Sequence, residues 1–144
     1  MTPNAALLRQ NFELVIERQP QITPQFYEIL FERRPEVRAL FARNAPERQQ
    51  KMLQDALVAV VERLDDAPWL GEALGAIGRK HVDYGVRDEM YGWVGEALLA
   101  TLAEISGDAW TPELEAAWAA AYGALVAMAL AGAREARREA AGAP

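Results

Sequence analysis

Apolar positions recur along nearly the whole chain at helical spacing. Leu7, Leu8, Phe12, Val15 and Ile16 follow the 3.6-residue period, so a first helix should open at Thr2-Pro3 or Asn4 and run through Arg18 before Pro20 ends it. Thr23-Pro24 offers a capping hydroxyl followed by proline at the first helical position, and Phe26, Tyr27, Leu30 and Phe31 then share a face. Pro35 stops this second helix, because its ring clashes with the preceding turn and pushes Arg34 out of α geometry. A short segment from Pro35 to Phe41 follows at a new angle. Asn44-Ala-Pro46 opens a third helix with a wide stripe of Leu53, Ala56, Leu57, Val60, Val61 and Leu64. Asp65-Asp66-Ala-Pro68 reads as a loop and a restart. Leu70, Leu74, Ile77 and His81 fall at i, i+4, i+7 and i+11, which puts the single histidine on an apolar helix face. Gly85 is placed to end that helix in the left-handed region. Arg87-Asp88 leads into a long helix with Tyr91, Val94, Leu98 and Leu102 on one face, stopping at Gly107. Thr111-Pro112 repeats the hydroxyl–proline start. The last helix carries Leu114, Trp118, Ala121, Leu125 and Met128, with Arg134, Arg137 and Arg138 toward its C-terminal end, where they suit the dipole; the Ala-Gly-Ala-Pro tail should fray. Sustained period-two alternation is missing. Six substantial helices plus a short one, with faces too wide for a two-stranded coiled coil, predict one compact all-α domain over residues 1–144.

Composition narrows what such a domain can do. A length of 144 residues suits one domain, and 51% hydrophobic residues suffice for one real core. With no cysteine and one histidine, disulfides, thiol nucleophiles, iron–sulfur clusters and Cys/His zinc sites are excluded. The net charge of −6 and the absence of a Lys/Arg patch speak against nucleic acid. The first twenty residues interrupt their apolar positions with Arg9, Glu13, Glu17 and Arg18, unlike a secretory signal, so a cytoplasmic protein is expected. Ala116 to Ala133 is uncharged over eighteen residues, ten of them alanine. That composition drives a helix into lipid only weakly, and a buried helix is expected there rather than a membrane span.

The lone histidine then has two readings. It is either a neutral core imidazole satisfied by a carbonyl and a side chain, or the axial iron ligand of a haem, which needs only one protein bond and a deep apolar slot. Composition leaves both open.

Three blocks of sequence bear on that choice. Gly78-Arg-Lys-His81-Val-Asp-Tyr-Gly85-Val86 followed by Tyr91-Gly-Trp-Val-Gly95-Glu-Ala-Leu98-Leu99 resembles the proximal region of bacterial haemoglobins and flavohaemoglobins. Phe26-Tyr27-Glu-Ile-Leu-Phe31-Glu-Arg-Arg-Pro35-Glu-Val-Arg-Ala-Leu-Phe41 resembles their distal segment, and Ala117-Trp118-Ala-Ala-Ala-Tyr122-Gly123 their last helix. The blocks keep order and spacing across essentially the whole chain. The resemblance implies a globin fold, a three-over-three helical sandwich holding haem b, with His81 as proximal iron ligand. It also implies Tyr27 and Gln49 as distal residues donating to bound gas, Gln50 being the neighbouring register. Phe41 would stack on the haem, with Leu53, Val86, Val94 and Leu98 as pocket walls. With one histidine, bis-histidyl ligation within the chain is impossible. The resemblance thus implies five-coordinate ferrous iron, unless Tyr27, Gln49, Lys51 or Met52 swings in. Arg79 and Lys80 are candidates for the haem propionates, although a solvated charged face explains them equally well.

On the proximal side the family uses a histidine–tyrosine–glutamate relay. Tyr91, ten residues after His81, fits it, while Ala133 stands where the glutamate is expected and Glu135 points elsewhere. Three functions follow as expectations. The first is reversible O₂ binding for storage, delivery or sensing, with NO and CO as further ligands. The second is a nitric oxide dioxygenase. No Gly-rich βα fingerprint occurs in the chain, so turnover would need an external flavin reductase, or this is one piece of a longer protein. The third is a haem-free interaction module or homodimer using Trp93, Trp110 or Trp118.

Overall fold

The protein, seen in a computed structural model that describes residues 4–41 and 45–142, is built among those residues from six α-helices and two short 3₁₀ stretches, without a strand. The helices are α1 (Ala5–Arg18), α2 (Thr23–Arg33), α3 (Pro46–Glu62), α4 (Ala67–Asp83), α5 (Asp88–Ser106) and α6 (Pro112–Gly142); the 3₁₀ stretches are Pro35–Phe41 and Gly107–Ala109. The expected openings at Thr2-Pro3 and Asn44, and the Ala143-Pro144 end of the tail, lie outside the described residues. The all-α expectation holds, and the helix of the last third runs on through Gly142 instead of fraying at Ala141.

Local chemistry accounts for most boundaries. Arg34, ahead of Pro35, has φ −137° and ψ 72°, outside the α region as its proline demands. Gly85 at φ +82° closes α4 in a Schellman arrangement: the Val86 N–H donates to the His81 carbonyl at 2.9 Å and the Gly85 N–H to Val82 at 3.1 Å. Two identical dipeptides behave differently. Thr111 caps α6 by accepting from the Leu114 N–H at 3.1 Å. Thr23, by contrast, is the first helical residue of α2, buried and without a capping bond; the Ile22 N–H ahead of it donates to Gln54 Oε1 of α3 at 3.2 Å. A tertiary partner has replaced the local cap. Asp66 caps α4, accepting from the Trp69 N–H at 3.1 Å.

The helix packing sorts into two layers, α1, α3 and α4 over α2, α5 and α6, with α2 and α6 both lying along α5. The continuous core joins Leu8, Phe12 and Val15 of α1 to Phe26 and Leu30 of α2, Leu102 of α5 and Trp118 of α6. One polar chain runs through it: the Trp118 Nε1–H donates to Asn11 Oδ1 at 2.9 Å, and Asn11 Nδ2 donates to Ser106 at 3.0 Å. No buried side-chain polar atom among the described residues lacks a partner, as a core this tight requires. By length and composition α6 could cross a membrane. Here it packs on α4, α5 and α1 as a core helix. Burial of Trp118 also corrects its expected place on an interaction surface: its ring lies 6.4 Å from that of Phe12 and its N–H is spent on Asn11. Trp93 is half-buried under the Arg34 guanidinium, 4.5 Å from its ring centre.

α4 differs from the other helices. Among the described residues its substantial packing is on α6 alone. The two approach through glycine: a methyl group at Gly78 would run into the Ala129 carbonyl, and one at Gly132 into the Gly75 carbonyl. The neighbouring apolar stripe of α4, bearing Leu74, Ile77 and His81, is only half-buried.

Candidate functional site

The distal candidates come together in one aromatic cluster. Tyr27, 6% exposed, has Phe26 edge-on at 5.0 Å, Phe41 edge-on at 5.2 Å and Phe31 stacked at 5.6 Å. Phe41 also lies 5.7 Å from Phe31, because the break at Pro35 turns the 3₁₀ stretch back across α2. Gln49, in the first turns of α3, reaches in from the side and donates from Nε2 to the Tyr27 hydroxyl oxygen at 3.2 Å. Of the two neighbouring glutamines, Gln49 is therefore the one that meets Tyr27. The tyrosine and the glutamine stand in series, with the amide donating to the phenol. No described residue accepts from the Tyr27 hydroxyl, which leaves its proton available to a ligand. Burial raises the Tyr27 pKa above its ordinary value, the Gln49 bond opposing only in part, so the phenol stays protonated and a donor.

On α4, His81 Nδ1 lies 3.0 Å from the Tyr91 hydroxyl of α5, and the Tyr91 ring is tilted against the imidazole at 5.6 Å between centroids. Nε2 has no hydrogen-bond partner among the described residues. Burial lowers the His81 pKa below its usual value, holding the ring neutral with a free lone pair at physiological pH. Tyr91 is buried, and its own pKa is raised by burial and by Asp88, with Arg137 opposing. Its main-chain carbonyl accepts from the Tyr122 hydroxyl at 2.6 Å. The Tyr122 ring lies against Gly95, where a methyl group would collide with it.

The remaining expected wall residues divide. Leu98 is buried, and Leu53, Val94 and Phe41 are half-buried against the same core as Tyr27. Val86 is half-buried and tied through its N–H to the His81 carbonyl. Ala133, where the resemblance expects a glutamate, is 1% exposed and offers no acceptor. Glu135 points to the outside and pairs with Arg79 at 2.9 Å, and Arg79 also binds Glu139. Lys51 pairs with Asp55 at 2.8 Å.

Sequence reasoning passed over Phe31, Gly78 and Gly132 as parts of the site. Phe31 had a signal, the i, i+4 spacing to Tyr27 on an apolar face. The glycines had one too, since glycine inside a helix costs stability unless a close backbone approach requires it.

A family described as globin matches residues 24–129. The chain belongs to the globin family. This globin is 38% identical over 122 residues to a flavohemoprotein from Bordetella pertussis, an alignment that covers 83% of this chain and 30% of that protein. It is 40% identical over 106 residues to a flavohemoprotein from Rhizobium meliloti, covering 72% and 26%. The globin thus spans less than a third of the length of these curated relatives. Among solved structures it superimposes with a TM-score of 0.83 and 29% identity on an engineered carbene transferase from Rhodothermus marinus provisionally assigned as a nitric oxide dioxygenase, covering 96% of each chain. A bacterial globin from Campylobacter jejuni, at TM-score 0.77 and 21% identity over 94% of this chain and 97% of that one, shares the fold. Globin membership implies a haem cofactor, and this chain's residues fit one. The neutral imidazole has an Nε2 without a partner among the described residues, and the apolar face around it is only half-covered by protein.

Proposed function

We propose that this globin is a haem b protein of the cytoplasm that binds diatomic gases, O₂ first among them, for storage, delivery or sensing. The observation that carries the reading is the pairing of residues: Tyr27 with Gln49 at 3.2 Å, and His81 with Tyr91 at 3.0 Å. Haem iron would supply the gas-binding centre, with Nε2 of His81 as its protein ligand. Tyr91 accepts the Nδ1 proton of His81, which selects the tautomer whose lone pair is on Nε2 and holds the ring's rotation. Gln49 donates to the Tyr27 oxygen, which polarises the phenol and orients its remaining proton for donation to the gas. Phe31 and Phe41 keep water from the phenol.

The acceptor opposite Nδ1 is a neutral phenol rather than a carboxylate, and Ala133 provides no charge behind it. Electron donation through the imidazole is correspondingly modest. That favours gas retention over bond-breaking chemistry.

The test is the absorption spectrum of hemin-reconstituted protein in ferric, ferrous and CO-bound forms. A Soret band that moves on CO binding is expected, and His81→Gly should abolish the iron–imidazole signature. A colourless protein would end the reading. A second reading, nitric oxide dioxygenase with an external flavin reductase, is supported by the flavohemoprotein relatives and the Rhodothermus neighbour. Sustained NO consumption with NADH and an added reductase would establish it, and a single turnover would leave gas binding alone.

A further inference from the structure

We infer that the C-terminal arm of α6 is an external clamp that positions the proximal pair from the surface. The inference rests on His81 being the haem ligand. α4 has its substantial packing on α6 alone, so the place of His81 relative to Tyr91 is set by the register between α4 and α6. At that crossing Gly75 and Gly78 meet Ala129 and Gly132, backbone to backbone. Such a contact fixes how closely the helices approach, while the glycines themselves contribute no side chain to set the register.

The charged arm supplies what the glycines lack. Arg79, two residues before His81, spans Glu135 and Glu139, which stand one helical turn apart on α6. Arg137, between those glutamates in sequence, crosses to Asp88 Oδ1 at 3.0 Å in the first turn of α5, three residues before Tyr91. One segment of α6 is thus tied to α4 just ahead of the histidine and to α5 just ahead of its tyrosine partner. Between the two ties, the Schellman closure at Gly85–Val86 binds the corner back to the His81 carbonyl. Arg79, Arg137, Asp88, Glu135 and Glu139 are positioning residues, acting on His81 only through the helices that carry it. Their side chains are 39–58% exposed, so the clamp loosens as salt screens it.

The experiment has two arms on the full chain. In the haem-free protein, amide hydrogen exchange across residues 78–92 is compared for the wild type, the double variant Arg79→Gln/Arg137→Gln, and Arg134→Gln, whose side chain makes no ion pair among the described residues. The double variant should exchange about tenfold faster there, the worth of three exposed ion pairs taken together, with exchange in α1 and α2 unchanged and Arg134→Gln behaving as the wild type. In the hemin-loaded ferrous protein, the iron–histidine stretching band should broaden and shift in the double variant, and in the wild type at about 1 M salt, where the Debye length is about 3 Å. Wild-type exchange and an unmoved band in the double variant would overturn the clamp. A wild type with no iron–histidine band at all would instead overturn the haem reading, and with it the clamp's role at the iron, while the exchange arm still reports whether the arm holds the corner.

Discussion

Tyr27 stands in a ring of three phenylalanines inside the continuous core, on a helix that packs against both α3 and α5. His81 stands on a helix held chiefly by α6, through glycine contacts and exposed ion pairs. The distal side is thus placed by shape, by large side chains filling space around one another. The proximal side is placed by how closely two backbones approach and by charges at their edges. Shape complementarity in a core tolerates little movement, whereas a smooth helix crossing is sensitive to a single added methyl group. The two halves of the site should therefore fail in different ways.

The largest effect is expected at the crossing. Gly78→Ala places a methyl group against the Ala129 carbonyl and should destabilise the protein by about 1–3 kcal/mol, with hemin lost faster to an acceptor globin. Gly71→Ala, in the same helix but with open space around it, should be neutral or stabilise by up to about 1 kcal/mol. Urea denaturation of both variants checks the contrast, and equal losses would dissolve it. On the distal side, Tyr27→Phe should leave stability nearly intact while O₂ release accelerates. A hydrogen bond to a charged acceptor is worth about 1.5–3 kcal/mol, so release should rise by about one to two factors of ten in a stopped-flow measurement. Gln49→Leu should have the same direction and a smaller size, because the glutamine acts through the phenol.

Tyr91→Phe removes the partner of His81 Nδ1 and should cost about 1 kcal/mol, read by urea denaturation of the haem-free chain, and it should shift the iron–histidine band of the loaded protein. The smallest effect is one of pH. Burial lowers the His81 pKa in the folded haem-free chain, so below the ordinary histidine value of about 6.5 the unfolded chain takes up a proton that the folded one refuses. Stability should therefore be fully present above that value and fall as pH drops from it toward the lowered folded pKa. His81→Gln should flatten that part of the pH–stability curve. With one histidine in the chain, proton NMR follows the titration without assignment.

Much of this was legible in one dimension. Helical periodicity, the prolines at 35 and 46 and the glycines at 85 and 107 mark the elements, because those residues act on their own backbone wherever the chain goes. The spacing of Tyr27, Gln49, His81 and Tyr91 identified the candidates through resemblance. Less legible were the consequences of contact. Thr23 looks like Thr111, yet only Thr111 caps, since Gln54 reaches the N–H ahead of Thr23 from another helix. Trp118 suits an apolar stripe or an interaction surface equally well until Asn11 and Phe12 close over it. That Arg79 reaches Glu135 and Glu139 of α6 shows only once the two helices are packed.

The amino-acid order alone determined that the chain is helical, where its helices break, and that a single imidazole sits on an apolar face. These are local properties of torsion, propensity and periodicity. Tertiary structure alone decided that Gln49 rather than Gln50 meets Tyr27, that the Tyr91 hydroxyl stands 3.0 Å from His81 Nδ1, and that α4 leans on α6 through glycine. Each of those depends on distances between residues far apart in sequence, which the packing of the whole core sets.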